Sequence, residues 1–458
     1  MSAQTVDVVV IGAGAAGLSG AVELARLGLQ VVLLDEQGSP GGQIYRGITL
    51  APLSRRDMLG PDYAHGNELT QALASSPVRY EKGASVWQVT RDHQVSYLRD
   101  GRLHTLNAKA VLLATGAMER PFPISGWTLP GVMSAGAAQI LLKSAGLAPS
   151  EPVVLAGCGP LLYLLGWQYL RAGVPIKALV DTTRPEDYWR ARRHLFAALR
   201  AWPYLRKGLE LLRCLRSAGI AHYSGAEQLA VEGAEAAQAL TFTVSGKPQR
   251  IATRCVLLHQ GVVPNIQFSQ SLRARHEWDV DQLCFSPVVD PWGELDVPGI
   301  YVAGDGAGIG GAQAAAVQGQ LAALGIAAQL QAISVAQRDQ QAEPLRAKLE
   351  SNLRIRPFLD VLYQPREENR IPADDVMVCR CEEVTAGDLR RFVALGCSGP
   401  NQAKSFGRCG MGPCQGRMCG LTVTEVIAKA RGVSASQVGY YRIRPPIKPI
   451  TLGELAGE

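Results

Sequence analysis

The sequence of 458 residues predicts an α/β protein built on two strand–turn–helix–strand units, with a smaller helical domain near its end. Three observations carry that reading. A glycine-rich turn between an apolar strand and a helix occurs twice, beginning at Gly12 and at Gly157. A third glycine turn, Gly304-Asp305-Gly306, follows a short apolar strand and opens a long helix of small residues. Six of the ten cysteines (Cys379, Cys381, Cys397, Cys409, Cys414 and Cys419) crowd into one C-terminal stretch.

Composition narrows the class first. Hydrophobic residues make up 47% and charged residues 19%, enough to bury large cores. The net charge of +6 is slight for this length and gives no reason to expect nucleic acid as a partner. No apolar run approaches the roughly 20 residues that a membrane-spanning helix needs. Met1 runs almost directly into an apolar strand, without a basic n-region or cleavage site, which argues against a secretory signal and for a cytoplasmic location. A local cysteine cluster in such a chain reads as a metal site rather than a disulfide framework.

The first unit predicts a buried strand over 6–11, an amphipathic helix over 15–27 closed by Gly28, and a second buried strand over 31–34. Gly12 allows the tight turn, Gly14 lets the backbone approach a pyrophosphate, and Gly17 lets helix and strand pack closely. Ala15 opens the helix whose N-terminus would face the phosphates. Asp35 ends the second strand, placed to accept hydrogen bonds from a ribose diol, and Glu36, Gly42 and Gln43 follow it. A lone glycine fingerprint is weak, but strand, helix and acid together make a dinucleotide site. From the fingerprint alone it could hold NAD or FAD.

The second unit carries Gly157-Cys158-Gly159-Pro160-Leu161-Leu162, with Asp181 at the end of its second strand. Leu162 stands where a third glycine or alanine is expected. Gly157, Gly159, Pro160 and Asp181 therefore define a second nucleotide site only if the unit has kept its ligand, NAD or another nucleotide. The alternative is a unit that kept the fold and lost or changed its ligand. Cys158 reads as a small turn residue. No cysteine pair lies near Gly41 or Gly42, which speaks against a disulfide reductase.

The segment 190–216 reads as basic amphipathic helices whose Leu195, Phe196 and Leu199 cover a core, or else as a face toward an acidic partner or membrane surface. The domain boundaries expected are 1–150 and 266–335 for the first dinucleotide domain, 151–265 for the second, 336–375 for a connector, 376–437 for the cysteine domain and 438–458 for a proline-rich tail. His194, His222, His259 and His276 sit beside no obvious nucleophile and in no metal spacing. No paired carboxylates stand out, so no residue is assigned a catalytic role.

Family resemblance sharpens these expectations. Ala114-Thr115-Gly116 after a buried strand, and Gly304-Asp305-Gly306 after Ile300-Tyr301-Val302, resemble the second and third signatures of the two-dinucleotide-binding-domain flavoproteins. That resemblance implies FAD in the first unit, with Thr115, Gly116, Gly304 and Asp305 beside it. Asp305 would contact the ribityl–pyrophosphate side.

The cysteine segment resembles the bacterioferritin-associated ferredoxin-like domain, in which a C-x-C pair and a later pair hold a [2Fe–2S] cluster. This implies Cys379, Cys381, Cys414 and Cys419 as ligands, with Cys409 in reserve. Structural zinc prefers C-x(2–4)-C spacing, looser than this C-x-C. Lys404, Arg408 and Arg417 could offset cluster charge or simply be solvated surface.

Over nearly its whole length, through GWTLPGVM, CRCEEVT, CGMGPCQGRMCG and RPPIKPITLGELA, the chain resembles the α (A) subunits of heteromeric FAD/[2Fe–2S] amine dehydrogenases. That group includes the opine oxidase, D-hydroxyproline dehydrogenase and hydrogen cyanide synthase (HcnB) representatives. It implies an electron-transferring subunit whose partner oxidises the C–N bond of an amino acid, imino acid or opine. The partner would be an FAD-containing β subunit of D-amino-acid-oxidase or glycine-oxidase type, with a small ferredoxin-like γ subunit in some relatives. FMN at the subunit interface, a quinone or respiratory-chain acceptor, and peripheral attachment at the inner membrane face are further implications.

Overall fold

The computed structural model describes residues 4–456. Two α/β layers and a helical cysteine domain make up the protein. The first sheet runs Arg79–Lys82, Val31–Asp35, Gln4–Ile11, Arg102–Leu113, Gln94–Arg99 and Ser85–Val89, with Ile300–Val302 beside the far end of Arg102–Leu113. Its centre is parallel, with Val10 opposite both Leu33 and Leu112, and helices cover both faces. That double cover is why these strands are continuous apolar runs rather than alternating ones. The pair Ser85–Val89 and Gln94–Arg99 adds an antiparallel flap.

The second sheet is wholly parallel, in the order Ala221–Ser224, Ile176–Asp181, Val153–Cys158, Val256–Gln260 and Val132–Ser134. Its last strand comes from before residue 150, because the chain enters this layer at Gly131 and Val256 N–H bonds the Gly131 carbonyl at 2.9 Å. Val262–Pro264 returns by pairing antiparallel with Ala117–Glu119, so two crossings join the layers.

The fingerprint helix Ala15–Arg26 is followed by Leu27 as its C-cap. The third glycine turn delivers Ala312–Gln329 across that helix. Gly319 makes the crossing possible, since a Cβ there would lie 2.1 Å from the Ala16 carbonyl oxygen.

The basic segment divides into Pro185–Ala191, Leu195–Arg200 and Trp202–Ser217. It departs from the expectation that Leu195, Phe196 and Leu199 bury a core. Phe196 is 85% exposed, and Leu195 and Leu199 are exposed with it. The break between the helices turns Ala198 and Ala201 inward against Ile355 instead, and Leu211 and Leu215 do the burying in the last helix.

The cysteine domain is not a separate bead. One apolar core runs from Val9, Val111 and Leu113 of the first sheet into Val378, Leu389, Val423 and Tyr441. Trp127 Nε1 donates to the Met377 carbonyl at 2.8 Å, and a buried Arg370–Glu425 ion pair ties the connector to the helix Gly420–Arg431. The tail then returns to the first sheet. Ile447 N–H bonds Trp87 O at 3.0 Å, and Lys448 pairs with Glu36.

Candidate cofactor and cluster sites

At the first unit the fingerprint closes on itself. Gly12 N–H bonds Leu34 O at 2.8 Å, Gly14 is the N-cap, and the buried Ala15 begins the helix. A Cβ on Gly17 would lie 1.8 Å from Gly12 O, so only glycine fits there. Asp35 is 7% exposed; it accepts from Ala13 N–H at 2.6 Å and Gln37 N–H at 2.7 Å. Burial raises its pKa, against those hydrogen bonds and the nearby Arg46 and Lys448. Glu36 points outward to Lys448.

The loop through Gly42 and Gln43 lies over the turn: Gly41 N–H bonds Ala13 O at 2.8 Å, and Gly42 packs on Gly14. Behind it the buried Lys143 donates to Gln43 O at 3.3 Å and Gln139 Oε1 at 2.8 Å. Desolvation lowers its pKa to about 7.

The other signatures converge on the same end of the first sheet. Thr115 Oγ1 donates to Asn265 O at 3.3 Å, and Asn265 N–H bonds Gly116 O at 2.9 Å. Ala303 N–H bonds Leu113 O at 3.1 Å, which sets Gly304 and Asp305 beside Ala16. Asp305 Oδ1 accepts from Gly310 and Gly311 N–H at 2.9 and 2.8 Å. Three buried polar atoms in this region, Arg46 Nε, Asn265 Oδ1 and Gln318 Oε1, have no protein partner. A polar ligand spanning the site would complete such atoms, and the residues present fit FAD.

The second unit is arranged differently. Ligands of open α/β sheets lie outside the carboxyl ends of the strands. Here that place is filled by the connector. Tyr363 O accepts from Cys158 Sγ at 3.5 Å, Arg366 Nε and Nη2 donate to Thr182 O and Gly225 O at 2.8 and 3.1 Å, and Gln260 Nε2 donates to Asn369 O at 3.0 Å. Asp181 is 3% exposed; it accepts from Tyr163 Oη and from Thr183 N–H at 2.8 Å. Gly157 and Gly159 pack on His259, which bonds Glu119 at 2.7 Å, and Pro160 begins the following helix. Leu162 is fully buried. Burial pushes the Cys158 thiol up to about 12 and keeps it protonated. Tyr163, Tyr363 and Arg366 were invisible as site residues in the sequence, because nothing local links residue 363 to residue 158.

In the cysteine domain the strand Met377–Cys379, the turn after helix Pro400–Gly407 and the N-cap of Gly420–Arg431 meet. Cys379, Cys409 and Cys419 are buried, with their three sulfurs within 4.8 Å of one another. Cys409 and Cys419 donate to Cys379, which lowers the Cys379 pKa and raises theirs. Cys381 lies alongside against Cys414, nearer the surface. Cys409, the reserve candidate, thus stands within the buried trio. Cys397 is buried apart, bonding Gly399 O at 3.4 Å. Five thiols converging from three elements suit a cluster held by four thiolates.

Of the nearby cations, Arg408 pairs with Glu382 at 2.9 Å, and Lys404 Nζ sits 4.8 Å from the Tyr441 ring centroid. Arg417 lines a cavity of about 380 Å³ between this domain and Met118, Val263 and Phe285.

Comparison with known proteins places this geometry. The chain matches the pyridine nucleotide-disulphide oxidoreductase family over residues 6–319 and the sarcosine oxidase A3 domain over residues 375–458. It is 47% identical to the opine oxidase A-type subunit of Agrobacterium tumefaciens over 98% of this chain and 91% of that protein. The chain belongs to this opine oxidase family of A-type subunits. It is also 33% identical to hydrogen cyanide synthase subunit HcnB of Pseudomonas aeruginosa, over 96% of both chains. Among solved structures, L-proline dehydrogenase from P. horikoshii superposes with a TM-score of 0.72 at 21% identity, over 99% of this chain and 80% of that one. That likeness shows the fold.

The expected fold class and family therefore stand, and the protein is a flavoprotein oxidoreductase with FAD as the cofactor its family implies. Among the described residues no helix is long and apolar enough to cross a membrane.

Proposed function

We propose that this chain is the electron-transferring α subunit of a heteromeric dehydrogenase that oxidises the C–N bond of an amino acid, imino acid or opine. Its substrate would be of opine or D-hydroxyproline type. Substrate oxidation takes place on an FAD-containing β subunit of D-amino-acid-oxidase or glycine-oxidase type, and a small ferredoxin-like γ subunit is a further partner. The observation that carries this reading is the union, in one core, of a dinucleotide site and a nest of five cysteines. FAD accepts electrons in pairs, and a [2Fe–2S] cluster held by Cys379, Cys381, Cys414 and Cys419 passes them on singly. An FMN at the subunit interface and a quinone acceptor complete the scheme, without residues of this chain assigned to either. The near-full-length relation to the opine oxidase A-type subunit supports the substrate class.

A self-contained NAD(P)H-dependent reductase is the rival. It needs a nicotinamide nucleotide in the second unit. The filled cleft supports a unit that has kept the fold and lost that ligand: Asp181 is already satisfied, and Arg366 holds the connector over the strand ends. Purified anaerobically and alone, the chain is expected to hold one flavin and two irons, and NADH is expected to leave the flavin oxidised. Rapid bleaching by NADH would overturn the subunit reading. Reduction of the flavin by an opine only when the β subunit is added would support it.

We also propose a cytoplasmic protein that attaches peripherally at the inner membrane face. Trp189, Phe196 and Trp202 are exposed among Arg192, Arg200 and Arg213, the mixture of aromatic and basic groups that favours an anionic bilayer surface. The complex is expected to sediment with anionic vesicles at low salt and to be released at high salt. Phe196→Glu should reduce the bound fraction several-fold, and equal binding by that variant would remove this face from the reading.

A further inference from the structure

The tail contributes a side chain to the cysteine site. Tyr441 is 1% exposed, and its hydroxyl lies 3.4 Å from Cys409 Sγ and 3.8 Å from Cys419 Sγ, both within reach of a hydrogen bond to sulfur. The ring is held in place from several sides. A Cβ on Gly410 would come within 2.5 Å of it and one on Gly416 within 2.6 Å, so both glycines let the backbone close on the phenol. Tyr440 packs edge-on at 5.9 Å, and Lys404 Nζ stands 4.8 Å from the ring centroid. When these sulfurs are metal-bound thiolates they carry no proton, so only the phenol can donate.

We propose that Tyr441 is a positioning residue of the iron–sulfur centre, donating its O–H to a ligand sulfur and so raising the centre's reduction potential. The physical reason is charge. Reduction adds an electron to a centre whose thiolates are already negative. A hydrogen bond to sulfur withdraws some of that charge and stabilises the reduced form more than the oxidised one. The Lys404 ammonium acts in the same direction. Because the hydroxyl reaches both Cys409 and Cys419, the donation holds whether Cys409 is a ligand or the reserve. Nothing else in the tail requires a tyrosine here, since phenylalanine would fill the same space between the glycines. The inference rests on the iron–sulfur reading above.

The test begins with iron and acid-labile sulfide in the anaerobically purified full chain. An iron-free wild type would defeat the iron–sulfur reading itself, and this inference with it. With the cluster present, Tyr441→Phe is expected to keep full iron and to titrate at a lower midpoint potential, with an altered EPR spectrum of the reduced cluster and an unchanged flavin midpoint. An unchanged or raised cluster midpoint would overturn the proposal while leaving the cluster reading intact. If Tyr441→Phe loses iron, 3-fluorotyrosine placed at position 441 decides. Its more acidic phenol donates more strongly and is expected to raise the midpoint; no shift would again overturn the proposal.

Discussion

Cys379→Ser is expected to empty the cluster site while leaving FAD bound. Cys379 is the hub of the buried trio, accepting from both Cys409 and Cys419. It also opens the C-x-C pair that the proposed ligand set requires. Supporting residues around a metal commonly carry roughly 10–100-fold in affinity, so losing a ligand should cost at least that much. Iron and labile sulfide are expected to fall by about tenfold or more. The flavin absorbance should persist, because the dinucleotide site shares only apolar packing with the cysteine domain. Full iron in this variant would remove Cys379 from the ligand set. The same iron count then assigns the fourth position. Cys381→Ser should lose iron and Cys409→Ser should keep it; the opposite pair of results would exchange the two residues.

Gly17→Ala should have the second large effect, on flavin rather than iron. The added methyl would sit 1.8 Å from Gly12 O, a backbone atom inside the turn that cradles the phosphates. The turn must open, which costs about 1–3 kcal/mol of stability as overpacking and moves the helix N-terminus away from the anion it would bind. The variant is expected to purify with little flavin and a lowered Tm. Asp35→Asn separates the two effects. It retains the shape of a group that accepts from Ala13 and Gln37 N–H, so the fold should hold while flavin affinity falls. Stoichiometric flavin in Gly17→Ala would show that the first unit does not bind the cofactor through this turn.

Much of this was legible locally. The strand at 6–11, the fingerprint helix and the strand ending at Asp35 follow from apolar runs and glycine spacing, because each is specified by residues within one turn or one strand of itself. The crowding of six cysteines marked a metal site for the same reason. Less was legible where burial depends on a distant partner. Leu195, Phe196 and Leu199 share the periodicity of a buried face, yet Phe196 is 85% exposed because the breaks between the short helices turn Ala198 and Ala201 inward instead. Residues 356–370 looked like a charged connector. Tyr363 and Arg366 became site residues only when folding laid them over strand ends some two hundred positions away in sequence.

The sequence by itself determined the two glycine turns, the acids that follow them, the third signature at Asp305 and the thiols available to a cluster. These are matters of residue chemistry at short spacing. Tertiary structure decided which of those features can be reached. It left the first turn with unpartnered polar atoms, and it closed the second beneath the connector, burying Asp181 against Tyr163. It also brought Cys409 into the trio and Tyr441 onto its sulfurs. The reason is that a carboxylate or thiol is read from its own side chain, whereas its partners come from whichever segment long-range apolar packing folds against it. No local pattern records that choice.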